Sequence, residues 1–133
     1  MAQPTCDIEI RVRYAETDRM GYLHHSRYAV FFEMGRTELL RQQGLAYKDL
    51  EDSGVYFAVV TLSMNFRSPA RYDDVLVLTT GIERMTTARI DHSYILRRKD
   101  TGALLTEGST TLACVDAGGR VIPIPEFIKR NSC

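Results

Sequence analysis

The sequence predicts an α+β domain, with one curved antiparallel sheet packed on a long central helix. Three observations carry this expectation. An opening segment alternates apolar and polar residues with period two. A middle segment places apolar residues at helical spacing. The remainder is a succession of alternating segments separated by tight turns. With 133 residues and no linker, internal repeat or low-complexity tract, the chain reads as a single domain, 1–133.

In the opening segment Ile8, Ile10, Val12 and Tyr14 alternate with Asp7, Glu9, Arg11 and Arg13, so a half-buried strand is expected over Asp7–Tyr14. Ala15 to His25 holds Thr17, Asp18, Gly21 and the adjacent His24 and His25, and reads as a loop. From Ser26 to Gln43 the period changes: Tyr28, Phe31, Phe32, Gly35, Leu39 and Leu40 recur at helical spacing. Ser26 is the expected N-cap and Gly44 the expected C′ residue. Ala29, Val30, Phe31 and Phe32 stand in a row, so this helix is expected to be surrounded by other structure. Leu45–Ser53 reads as a short second helix.

Four more strands are expected. Val55–Ser68 stops at Pro69 and carries Val60, Leu62, Met64 and Phe66 on one face. Val75–Met85 follows the Tyr72-Asp73-Asp74 turn. Arg89–Arg98 alternates Ile90, His92, Tyr94 and Leu96, and Ala103–Asp116 follows the Lys99–Gly102 turn. A Gly118-Gly119 turn leads to a short extended segment, Arg120–Ile124, and a polar tail. Consecutive strands with turns this tight pair antiparallel.

Composition narrows the function. Apolar residues at 44% supply a core, so the disordered class is excluded. Seventeen basic residues balance seventeen acidic ones, which is not the basic footprint of a nucleic-acid binder. Met1–Asp7 has no basic segment followed by an apolar one, so no signal peptide is expected, and no run of about 18 apolar residues calls for a membrane span. Cys6, Cys114 and Cys133 are odd in number and far apart, as expected of free thiols in a reducing, cytoplasmic compartment.

Several catalytic signatures are absent: the G-x-S-x-G elbow, the Walker A sequence, G-x-G-x-x-G, C-x-x-C and H-E-x-x-H. His24 and His25 are neighbours expected to point in different directions, which makes them a poor chelating pair, so a metal site built on them with Asp18 is not expected. Asp18 stands out because its loop feeds the N-terminus of an apolar helix. On position alone it reads first as a residue satisfying backbone donors of its own loop. A functional reading stands beside it. The helix start offers unpaired N–H groups and partial positive charge that hold a developing oxyanion, and a nearby carboxylate deprotonates water or attacks directly. Gly21 allows the sharp turn or close approach such a site needs.

The run from Tyr14 through Glu16-Thr17-Asp18, Gly21, His24-His25 and Tyr28 to Phe32-Glu33 and Arg36 resembles the hallmark of hotdog-fold thioesterases. More narrowly it is similar to the 4-hydroxybenzoyl-CoA thioesterase group with its YbgC- and FadM-like acyl-CoA thioesterases. The positions that match are Asp18, Gly21, His25, Tyr28, Phe32-Glu33 and Arg36. Phe66, Pro69, Asp73-Asp74, Ala113–Asp116 and Gly119-Arg120 extend the likeness, which spans roughly Ile8 to Phe127. Arg27 departs from it, standing where many relatives carry Asn.

The resemblance implies a sheet wrapped round the helix, homodimers that share the active site, often a dimer of dimers (a homotetramer), and hydrolysis of an acyl-CoA thioester without metal or cofactor, CoA being part of the substrate. It assigns Asp18 as base or nucleophile and the amide at His25 as oxyanion donor, with the His25 ring either orienting water or standing as a polar residue at the helix start. Gly21, Tyr22, Tyr28, Phe66 and Ser68 become candidate substrate-binding residues, with Met64 a further lining residue. Glu33 reads as an i,i+3 ion-pair partner of Arg36. Arg67, Arg71, Arg84, Arg89, Arg97 and Arg98 are candidates for the CoA phosphates. Two alternatives stay open: a hydratase or dehydratase on the same fold, and a non-catalytic acyl-CoA-binding scaffold.

Overall fold

In the computed structural model, which describes residues 4–131, five strands join in one antiparallel sheet. They are β1 (Thr5–Arg11), β2 (Tyr56–Phe66), β3 (Val75–Met85), β4 (Arg89–Arg98) and β5 (Leu104–Val115). The order across the sheet is β1-β3-β4-β5-β2, so β1 and β2 form its two edges. Three helices accompany them: α1 (Ser26–Gln42), α2 (Tyr47–Asp52) and α3 (Glu126–Asn131). Cys133, counted among the thiols above, lies outside the described residues.

Helix α1 crosses the sheet and touches β1 and β3. Its buried stripe is Tyr28, Phe31, Phe32, Gly35, Leu39 and Leu40, the set that its sequence period picks out. The helix comes close to the sheet at two glycines. A Cβ on Gly35 would run into the Thr80 hydroxyl and Leu78, and one on Gly108 of β5 would sit 2.5 Å from the Phe32 ring. Phe32 stacks on Tyr94 of β4 with centroids 4.1 Å apart and planes 7° from parallel. The C-terminus of α1 closes as expected: Gly44 takes φ 80° and donates to Arg41 O, and Leu45 donates to Leu40 O.

β3 and β4 run over the expected residues, and Ile90, His92, Tyr94 and Leu96 are all buried. Three expectations need correction. β1 stops at Arg11 because the chain bends into a 3₁₀ turn at Tyr14–Glu16, which leaves Tyr14 78% exposed. In β2 the register shifts between Val59 and Thr61, and the strand lies at the sheet edge. Val60, Leu62 and Phe66 are therefore exposed, while Met64 packs against the core. At the C-terminus the strand-like contact shrinks to one bridge, Val115 with Val121. The tail then forms α3, whose Ile128 is buried together with Ile124 beside Leu39 and Leu50. Cys6 and Cys114 are buried free thiols, both pushed above the ordinary thiol range by burial first.

Candidate active site

The loop between β1 and α1 is built on backbone bonds. Asp18 N–H donates to Tyr22 O at 2.8 Å, Gly21 N–H donates to Asp18 O at 3.0 Å, and Thr17 pairs with Leu23. Gly21 supplies the left-handed conformation, φ 79°, that reverses the chain. The carboxylate joins in: Oδ1 of Asp18 accepts the N–H of Met20 at 2.8 Å and of Tyr22 at 3.2 Å. Its other oxygen accepts nothing among the described residues. The loop-satisfying reading of Asp18 is thus met through one oxygen, and the other oxygen stays without a hydrogen bond among the described residues.

Beneath this loop lies Glu16, buried to 3%. Its Oε1 accepts Arg13 N–H at 2.8 Å, its Oε2 faces the Arg13 guanidinium at 3.3 Å, and its carbonyl accepts His24 N–H. Burial alone would raise its pKa, but the bonds from Arg13 and the charges of Arg13 and Arg27 outweigh it and hold the carboxyl below its ordinary range. The sequence reading passed over Glu16, and its place two residues before Asp18 was the available signal.

The start of α1 differs from the expected cap. Ser26 is the first helical residue and His25 the N-cap, with no side-chain cap from His25 itself. Instead Nδ1 of His24 accepts the Ser26 N–H at 3.1 Å, while Arg27 N–H goes to His24 O. The two histidine rings do not diverge. They stack with centroids 4.2 Å apart at 30°. Among the described residues no group of three or more metal-ligating side chains gathers.

A cavity of about 370 Å³ opens against this structure, lined by Asp18, Tyr22, Leu23, His25, Tyr28, Phe66, Arg67, Ser68 and Pro69. Six of the seven proposed site residues therefore meet on one wall: Asp18, His25, Tyr22, Tyr28, Phe66 and Ser68. Gly21 is not on the wall; it acts through the turn. Tyr28 is buried and meets the Phe66 ring edge-on at 4.9 Å. Burial raises its hydroxyl pKa, hydrogen bonds from Thr106 and the Ala70 backbone N–H pull the other way, and the Asp18 charge adds to the rise. Leu23, Arg67 and Pro69 were not expected on the wall, although the last two flank Ser68.

Other expectations fall away from this cavity. Met64 is not on its wall. Arg36 makes no ion pair with Glu33; its guanidinium reaches the Tyr94 hydroxyl at 3.5 Å, and that hydroxyl bonds Thr110 Oγ1 at 2.6 Å. Arg98 is held by Asp74 and Pro69 O, and Arg97 by Gly102 O. Arg71 lies over the Tyr22 ring at 4.7 Å.

A five-stranded antiparallel sheet around one long helix is the hotdog architecture, and an aspartate stands beside the N-terminus of that helix. The chain belongs to the thioesterase-like superfamily, whose family model matches residues 12–131. It is 33% identical over 122 residues to the acyl-CoA thioesterase YbgC of Haemophilus influenzae, covering 90% of this chain and 88% of that one. Among solved structures it is similar to the hypothetical protein TT1821 from Thermus thermophilus, with 41% identity, TM-score 0.89 and 95% of both chains covered. It is also similar to the DHNA-CoA thioesterase from Staphylococcus aureus, with 30% identity, TM-score 0.89 and 95% and 85% of the two chains covered.

Proposed function

We propose that this protein hydrolyses acyl-CoA thioesters to the free acid and CoA, with Asp18 as general base or nucleophile. The observation that carries the reading is Asp18 itself: it is fixed by two backbone N–H groups through one oxygen and lines a cavity that also reaches the helix N-cap, His25. The thioester carbonyl sits against the helix start, where the N–H of His25 and the positive end of the α1 dipole hold the oxyanion. In the general-base route Asp18 takes a proton from water, the hydroxide adds to the carbonyl carbon, and the C–S bond breaks. The CoA thiolate then leaves with the proton. In the covalent route the Asp18 carboxylate adds to the carbonyl carbon, the C–S bond breaks and CoA thiolate leaves, and water then hydrolyses the anhydride to the free acid, restoring the carboxylate and supplying the proton that the thiolate takes up. Both routes need the same carboxylate and neither needs a cofactor.

The relatives' names support the substrate class, since the YbgC protein of H. influenzae is an acyl-CoA thioesterase. The working unit we infer is a cytoplasmic homodimer or dimer of dimers. The outer edge of β2 pairs with no strand among the described residues, and Val59, Val60, Leu62 and Phe66 are exposed along it. Association hides such an edge. No helix among the described residues is long and apolar enough to cross a membrane.

The test is thiol release from short, long, branched and aromatic acyl-CoAs, run beside Asp18→Asn. Turnover that falls on the order of 10²–10⁴-fold in the variant supports the assignment. Equal rates remove Asp18 from the mechanism, and an enoyl thioester as product replaces hydrolysis with dehydration.

A further inference from the structure

Beyond the cavity mouth lies a second feature that the chemistry above does not use. Tyr14 is 78% exposed and Tyr72 56%, and their rings meet edge-to-face with centroids 5.5 Å apart. Two exposed rings held in contact form an apolar platform in water. The platform has a firm base. Val12 N–H donates to Asp74 O and Asp73 N–H to Val12 O, both at 2.9 Å, so the loop carrying Tyr14 is tied to the turn carrying Tyr72. It also adjoins the active site. Tyr22 bridges Arg71, Leu23 N–H donates to Ala70 O, and the Arg71 guanidinium covers Tyr22, which is itself a wall residue of the Asp18 cavity.

The charges around the platform complete the case. Asp73 is neutralised by Arg11 at 3.1 Å, Asp74 by Arg98 at 3.3 Å and Glu16 by Arg13 at 3.3 Å. The Arg71 guanidinium has no carboxylate partner among the described residues; only its backbone N–H reaches one, Asp74 Oδ2 at 2.9 Å. Exposed aromatic rings on the turn that carries this guanidinium suit a ligand with a heteroaromatic ring and phosphates, because the base stacks and the guanidinium fork takes phosphate oxygens.

We propose that Tyr14, Tyr72 and Arg71 form the docking surface for the phosphorylated adenosine end of the CoA ester. This rests on the thioesterase reading and extends it. A cavity of about 370 Å³ takes the thioester end only. The pantetheine arm then carries the nucleotide out past Tyr22 onto the surface.

The experiment compares a CoA ester with the N-acetylcysteamine thioester of the same acid, which lacks the nucleotide. Adenosine 3′,5′-bisphosphate and adenosine serve as competing ligands. In the Y14S/Y72S double variant KM for the CoA ester should rise about tenfold at unchanged kcat, the bisphosphate should weaken equally, and kcat/KM for the truncated ester should hold. Arg71→Gln should weaken the bisphosphate more than adenosine. Unchanged KM for the CoA ester overturns the proposal, as does an equal loss on both esters. Dissociation of the double variant in light scattering would give the surface to a second copy of the chain instead. If wild type turns over neither ester, the thioesterase reading fails, and calorimetric binding of the bisphosphate to wild type and double variant still decides the fate of the platform.

Discussion

The ring nitrogen Nδ1 of His24 accepts the backbone N–H of Ser26 at 3.1 Å and lies 2.9 Å from the Ser26 hydroxyl. An imidazole here does the work usually done by a capping oxygen. Only an unprotonated nitrogen accepts a hydrogen bond, so the capping tautomer carries its proton on Nε2. His24→Ala should cost about 1 kcal/mol, the usual loss on removing a cap, and should lower kcat by disturbing the helix start proposed to hold the oxyanion. His24→Asn, a strong capping residue, should recover most of the stability. Urea unfolding and thiol release on the three proteins check this; equal stability of wild type and the alanine variant would show the contact to be idle.

Asp18 yields a second prediction because its two oxygens differ in task. Asparagine keeps an oxygen for the N–H groups of Met20 and Tyr22, whereas alanine loses both bonds. Asp18→Asn should therefore unfold like wild type, and Asp18→Ala should be less stable by about 1 kcal/mol. Both should lose turnover. Denaturation midpoints read the loop-holding bonds, and thiol release reads the catalytic role proposed for the carboxylate.

His92 is 3% exposed on β4, and its Nδ1 has no partner among the described residues. Burial, aided by the Arg36 charge and opposed by Asp91, pushes its pKa from 6.5 down to about 4. The unfolded chain binds the proton near 6.5 and the folded chain only near 4. Stability from this group is whole above pH 6.5 and is lost as pH falls towards 4, by about 3 kcal/mol in all. In His92→Gln the slope of unfolding free energy against pH should flatten across that window. Parallel curves for the two proteins would refute it.

Gly108 faces the Phe32 ring so closely that an added Cβ would lie 2.5 Å from Cε2 and 2.9 Å from Ser63 O. Gly108→Ala should destabilise by about 1–3 kcal/mol through overpacking, since the carbonyl is fixed and the ring is already stacked on Tyr94. Thermal unfolding reads this, and an unchanged midpoint would mean that Phe32 moves freely.

The sheet was legible where burial imposes period two. β3 and β4 lie inside the sheet, and their bounds follow their apolar alternation. Legibility failed at edges and ends. Val60 and Leu62 alternate as a buried face would, yet β2 has no strand on its outer side among the described residues and a shifted register at Val60. Tyr14 continues the alternation of β1 in sequence only, because the backbone has already turned. Helix α3 is too short for a periodic signal, and its burial through Ile128 is a tertiary fact. In the site, Asp18, His25, Tyr22 and Tyr28 were readable from one motif. Arg67 and Pro69 come from a distant strand end, and the stacking of His24 on His25 depends on side-chain torsions that adjacency does not fix.

The support of Asp18 has a consequence for how this protein can change over time. Its oxygen is held by main-chain N–H groups of residues 20 and 22, and Gly21 alone makes a demand on residue type through its φ of 79°. The exposed side chains of Arg19 and Met20 are therefore free to vary without moving the carboxylate. The surface of this loop can drift while the place of the carboxylate is inherited unaltered.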